Sequence, residues 1–205
     1  MASFGISGIL KAALLISWVP VVLGLTYLLE VHDSAPGTLG HTIKSWPVAS
    51  ALIPSFGKPT LLFFAHPQCP CTRASIEELD RLVSSVPGKA KLIVIFLKPS
   101  SVGDSWNNTD LWTHAKRIPG AQTLADTDGQ ECRRFGAFTS GTTILFSPTG
   151  EELFRGGLTM SRGHEGDSLG LEAISGYLRT NRISLHSTPV FGCALFAQSA
   201  PGIKT

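Results

Sequence analysis

The chain has 205 residues and a net charge of +2, with 43% hydrophobic and only 16% charged residues. Those figures exclude a polytopic membrane protein and a disordered chain. The 17 basic residues form no block that would serve nucleic acid, so no nucleic-acid partner is expected. A single-pass anchor and one domain of roughly 150 residues remain, large enough to bury a core without staples.

The apolar surplus has an address. Ala12 to Leu29 is an uncharged run of 18 residues, 14 of them hydrophobic. As a helix it rises about 27 Å, near the ~30 Å of a hydrocarbon core. Ile9 and Leu10 extend it across Lys11, which can snorkel, and Pro20 is tolerated in a membrane span. Lys11 precedes the run, while Glu30, His32 and Asp33 follow it. This bias predicts a cytoplasmic N-terminus and an outward-facing domain. A cleaved signal peptide competes, but the run exceeds the roughly 7–15 residues of an h-region. Asp33 also sits at the minus-three position of the nearest small-residue site. The expected layout is an anchor over 1–30, a tether over 31–58, a folded domain over 59–180 and a loose tail over 181–205.

Within the domain, Thr60 to Ala65 (TLLFFA) reads as a strand buried on both faces. Thr72 to Val86 carries Ile76, Leu79, Leu82 and Val83 at helical spacing and is closed by Pro87-Gly88. Ala90 to Leu97 is a second buried strand. Trp106 to Arg117 reads as a helix, Ala121 to Ala125 as a short strand and Gln130 to Phe135 as a helical turn. Trp106 and Trp112 are read as packing residues. Thr142 to Phe146 and Glu151 to Arg155 flank Ser147-Pro148-Thr149-Gly150, a hairpin signal. Gly166 to Arg179 reads as a last helix with Asp167 as its cap. The order β-α-β-α-β-α-β-β-α predicts an α/β domain with a parallel core and an antiparallel edge.

Four cysteines are too few for a disulfide scaffold in a domain this size, and their spacing matters more than their number. Cys69-Pro70-Cys71 lies between a buried strand and a helix. A helix N-terminus stabilises a thiolate and lowers a cysteine pKa below its usual ~8.5. Pro70 removes a donor that the first turn would leave unpaired anyway, and Arg73 adds positive charge. Cys132 reads as a buried small hydrophobe. Cys193 has three open readings: a third redox thiol folded back on the pair, an intermolecular disulfide, or a bland tail cysteine.

Residues 60–79, TLLFFAHPQCPCTRASIEEL, resemble the active-site region of thioredoxin-fold proteins. More closely, the N-terminal anchor, FAHPQCPCTRAS, FGAFTSGT, GGLTMSRGHEGD and TPVFGC together resemble the bacterial RedB proteins over roughly residues 55–195. The resemblance implies a thioredoxin-like fold, a central mixed sheet flanked by helices, with an N-terminal transmembrane helix. It implies a redox tendency and a bacterial inner-membrane protein whose domain is periplasmic. No cofactor is implied, and the partner would be a protein dithiol or disulfide. Cys71 falls on the family's second cysteine and Gln68 on its first, so Cys69 is displaced by one. That implies Cys71 as resolver and leaves Cys69 as nucleophile. A disulfide between residues i and i+2 closes a small ring, expected to be strained and easily reduced. Where thioredoxins place a cis-proline facing the thiols, this chain has Gly141, preceded by Ser140. Ser140 and Gly141 therefore join His66, Pro70 and Arg73 as residues expected to tune the pair.

Two thiols with a distant histidine would alternatively hold copper(I), with Cys69, Cys71 and His164 as soft S, S, N ligands. His66, three residues before Cys69, would serve as a ligand, tune the thiolate or simply bond loop backbone. A peroxide reductase is disfavoured, because no Thr or Ser stands in the window between Pro67 and Cys71.

Overall fold

The structure is a computed structural model that describes residues 6–196. It divides into two compact units, one ending at Ala35 and one beginning at Pro36. The first is helix α1, Ile6–Ser34, with Pro20 inside it. Ala13–Ser34 is long and apolar enough to cross a membrane, and none of it is buried within the protein.

The second unit is built on a five-stranded sheet in the order β3-β2-β1-β4-β5. Its strands are β1 (Thr60–Ala65), β2 (Lys91–Lys98), β3 (Ala121–Thr127), β4 (Thr142–Phe146) and β5 (Glu152–Gly156). β1 is central, parallel to β2 with Leu61 opposite Leu92, and antiparallel to β4 with Leu61 opposite Leu145. β2 and β3 are parallel, and β4 and β5 form the antiparallel hairpin. With helices α2 (Thr72–Ser85), α3 (Asp110–Arg117), α4 (Gln130–Arg134) and α5 (Leu169–Thr180), this is the thioredoxin-like fold.

One sheet face is covered by helices. Ile76, Leu79 and Leu82 of α2 are fully buried with Ala115 of α3 and Ile174 of α5 against Leu61, Phe63, Val94 and Phe154. Burying each of the Leu, Ile, Val and Phe side chains stabilises by about 1.5–3 kcal/mol. Two helices differ from their sequence expectation. Trp106 to Arg117 is not continuous: a 3-10 turn, Asp104–Asn107, precedes α3. Thr109 takes an extended backbone between them and its hydroxyl accepts the Trp112 N–H. The cap of α5 is Ser168, not Asp167. The Ser168 hydroxyl accepts the Leu171 N–H at 3.1 Å and donates to Leu158 O at 2.8 Å, while Asp167 is exposed.

The other face explains the stretches expected as tether and tail. Leu62, Phe64, Ile93, Ile95 and Phe146 are buried there, yet among the described residues the helix packed with them is the five-residue α4. Irregular chain completes the cover. Trp46 packs edge-on against Phe135 and Phe146, with ring centroids 5.0 and 4.9 Å away, and Leu52 is buried. Ile43 N–H donates to Glu152, which also pairs with the buried Arg155 at 2.6 Å. From the other end of the chain, Val190, Phe191 and Leu195 are buried. Residues 36–58 and 187–196 thus belong to the domain, because a sheet apolar on both faces must be covered on both. The rest of the expected tail, 197–205, lies outside the described residues.

Candidate active site

At the carboxyl end of β1 the chain turns through His66 to Cys71 before entering α2. The turn is held by Cys69 N–H to His66 O at 3.2 Å, Thr72 N–H to Cys69 O at 3.1 Å and Arg73 N–H to Pro70 O at 3.3 Å. Cys71 is the residue that caps α2. Cys69 is buried, 1% exposed, whereas Pro70 is exposed and Cys71 half-buried. The exposed tip of the motif is therefore its proline, with a sulfur on either side at different depths.

Cys193 arrives from the far end of the chain. Its Sγ lies 2.7 Å from Cys69 Sγ, and its backbone N–H points at the same sulfur from 3.4 Å. Residues 189–195 are fixed by a series of backbone bonds. Gly157 N–H donates to Pro189 O at 3.1 Å, Gly37 N–H to Val190 O at 2.7 Å, Ser140 N–H to Cys193 O at 2.8 Å and Leu195 N–H to Phe138 O at 2.8 Å. The approach is close enough that Gly192 admits no side chain: a Cβ there would sit 2.0 Å from Ser140 O.

The environments of the three sulfurs differ. Burial pushes the Cys69 thiol up, but hydrogen bonds from the Cys193 side chain and backbone and from the Thr72 side chain and backbone outweigh it and hold its pKa below the usual value. Burial and the neighbouring Cys69 charge raise Cys71, opposed by the Arg162 guanidinium, which hydrogen-bonds to it. Cys193 is pushed up to about 12 by burial, by its bond to Cys69 and by the charges of Cys69 and Cys71. Of the three sulfurs, Cys69 is the one whose surroundings favour the thiolate.

The expected tuning residues separate into two sets. Ser140 belongs to the site: its hydroxyl accepts the His66 N–H at 2.8 Å and lies 2.6 Å from Thr72 Oγ1. Gly141 holds the adjacent turn with φ +94, a conformation glycine adopts freely, and its N–H donates to Phe64 O at 2.8 Å. Among the described residues no peptide bond is cis. His66 bonds the backbone of its own loop. Its Nδ1 accepts the Gln68 N–H at 3.2 Å, its ring packs edge-on against Trp106, and burial lowers its pKa. Arg73 is exposed and ion-paired with Asp110 on α3. A cation that bears on the thiols is Arg162, which also donates to Gly192 O at 2.5 Å.

His164 does not join the sulfurs. It lies exposed in the loop before α5, and among the described residues no group of three or more His, Cys, Asp or Glu is placed to hold a metal ion. The S, S, N donor set expected for copper(I) is thus not assembled. Thr72, Arg162 and Cys193 were the residues that sequence reasoning missed or left open. Only Cys193 carried a signal, a cysteine in a segment rich in small and apolar residues.

No protein-family model matches the chain, and no curated protein is significantly similar to it. Solved structures do match. An uncharacterized conserved protein from Geobacillus kaustophilus is 18% identical over 82% of this chain and 95% of its own, with a TM-score of 0.58. A hypothetical protein from Sinorhizobium meliloti is 15% identical over 80% of this chain and 97% of its own, also with a TM-score of 0.58. A secreted Mycobacterium tuberculosis disulfide oxidoreductase homologous to E. coli DsbE is 16% identical over 67% of this chain and 95% of its own, with a TM-score of 0.43.

Proposed function

We propose that the protein is a membrane-tethered thiol–disulfide exchange protein in which Cys69 is the nucleophile. The observation that carries this reading is the set of hydrogen-bond partners converging on Cys69 Sγ: Thr72 from α2 and, from the C-terminal segment, Cys193, whose backbone N–H donates to it. A buried sulfur so surrounded is stabilised as thiolate, the form that attacks disulfides. Attack on one sulfur of a partner disulfide forms a mixed disulfide and expels the other sulfur as a thiolate. A second cysteine of the site then resolves it. The partner is a protein dithiol or disulfide outside the cytoplasm, reached by a domain tethered through α1. Lys11 before the apolar run and Glu30 and Asp33 after it support that orientation. The motif resemblance to bacterial RedB proteins accords with an inner-membrane redox role.

The test uses the full chain in detergent micelles, with reduction of insulin followed by turbidity and oxidation by glutathione disulfide followed by mass. Wild type is expected to exchange in both assays and Cys69→Ser in neither. Equal activity of Cys69→Ser and wild type would sink this reading. Copper(I) titration in the presence of a moderate chelator belongs beside it, since retention by wild type and loss on His164→Ala would favour metal handling instead.

A further inference from the structure

We propose that Cys193, and not the neighbouring Cys71, is the thiol that resolves the mixed disulfide on Cys69, so that the oxidised protein carries a Cys69–Cys193 bond. The proposal deepens the exchange reading and rests on it. Its basis is the 2.7 Å approach of the two sulfurs, across 124 positions of sequence. Backbone bonds fix residue 193 on both sides: Ser140 N–H to its own carbonyl, and Leu195 N–H to Phe138 O, with Thr139 and Ala194 in an antiparallel bridge. Gly192 permits that approach, because any side chain there would collide with Ser140 O. Cys71 also hydrogen-bonds to Cys69, but it is half-buried and shared with the Arg162 guanidinium, which hydrogen-bonds to it as well. An i, i+2 disulfide also closes a far smaller ring than the one joining the two ends of the domain.

The chemistry balances with a protein disulfide as co-reactant. The Cys69 thiolate attacks one sulfur of the disulfide, forming a Cys69 mixed disulfide and releasing the first partner thiolate, which takes up a proton. Cys69 then no longer carries charge. Two influences that hold the proton on Cys193, the charge on Cys69 and the bond to it, vanish at that moment, and the opposing Arg162 remains. Cys193 gives up its proton, attacks Cys69 Sγ and expels the second partner thiolate, which is protonated in turn. Two electrons have passed from Cys69 and Cys193 to the partner, which takes one proton from Cys193 and one from the solvent that received the Cys69 proton when its thiolate formed. The same steps in reverse oxidise a partner dithiol.

The test uses the reduced full chain in detergent micelles, with glutathione disulfide as oxidant. Samples are acid-quenched, alkylated, digested without reductant and read by mass spectrometry. In wild type the tryptic peptides carrying Cys69 and Cys193 are expected as one cross-linked species, with Cys71 alkylated. Cys71→Ser should give the same cross-link. Cys193→Ser should accumulate glutathione on Cys69, with release of the second glutathione slowed on the order of a hundredfold or more by loss of the positioned thiol. Cys193→Ala and a circular-dichroism melt guard against misfolding, because a folded Cys193→Ala that still traps glutathione supports the same conclusion. A Cys69–Cys71 bond with Cys193 alkylated, or glutathione trapped by Cys71→Ser and not by Cys193→Ser, overturns this assignment alone. A Cys69 that never reacts overturns both the assignment and the exchange reading.

Discussion

Cys69 and Cys132 are both buried cysteines beside the start of a helix, and they are driven in opposite directions. Cys69, ahead of α2, meets donors: the Thr72 amide and hydroxyl and the Cys193 amide and thiol. Cys132, in the first turn of α4, meets a carboxylate. Asp126 accepts the Glu131 and Cys132 N–H groups at 2.9 and 2.8 Å, so the free amides of that helix end are already taken by an anion. Burial and the Asp126 charge then raise Cys132 well above its usual pKa. Proximity to a helix N-terminus does not by itself make a reactive thiol. What decides is what faces the sulfur, hydrogen-bond donors at Cys69 or a carboxylate at Cys132.

Several substitutions would break or sharpen that contrast. The largest effect is expected from Cys69→Ser, which should bring insulin reduction to background, whereas Cys132→Ala should leave the wild-type rate. Next comes Thr72→Val, which keeps shape and removes the hydroxyl donated to Cys69. A hydrogen bond to a charged group contributes about 1.5–3 kcal/mol, so iodoacetamide alkylation of Cys69 near neutral pH should slow by about tenfold. Its pH profile should move upward, and Thr72→Ser should restore it.

The contrast also has a signature in stability against pH. Above the ~8.5 of a free thiol the unfolded chain releases a proton that folded Cys132 keeps, so stability falls as pH rises. The slope is at most about 1.4 kcal/mol per pH unit for one thiol. Cys193 adds the same sign until its own pKa near 12. Cys69 has the opposite sign: its contribution is present above the unfolded value and is lost as pH falls through its lowered folded pKa. Urea unfolding from pH 8 to 10 should show the decline, and Cys132→Ala should flatten it. A Cys132→Ala slope identical to wild type would count against the Asp126 account. The smallest effect is expected at Arg73→Ala: Cys69 and Cys71 alkylation rates should not change, since Arg73 faces Asp110. Arg162→Ala, by contrast, should slow alkylation of Cys71.

The strands were legible in the sequence because they are short, apolar and punctuated. TLLFFA and TTILF lie where they were read, and the α2 stripe of Ile76, Leu79 and Leu82 is the buried face. The break before α3 was less legible, because Thr109 as cap and Trp106 as packing residue compete with an unbroken helical pattern. Arg73 misled because proximity along the chain says nothing about which way a side chain leaves a helix.

By itself, the sequence determined the order of elements, one apolar helix with charge bias around it, and a cysteine pair between a buried strand and a helix. Those features rest on local spacing and composition, which the chain carries everywhere. Tertiary structure alone decided that residues 36–58 and 187–196 belong to the domain, because a sheet apolar on both faces leaves surface that four helices do not cover. It alone brought Cys193 to Cys69, Arg162 to Cys71 and Asp126 to Cys132. The charge on a buried sulfur depends on donors and charges within a few ångströms, and most of these come from distant parts of the chain.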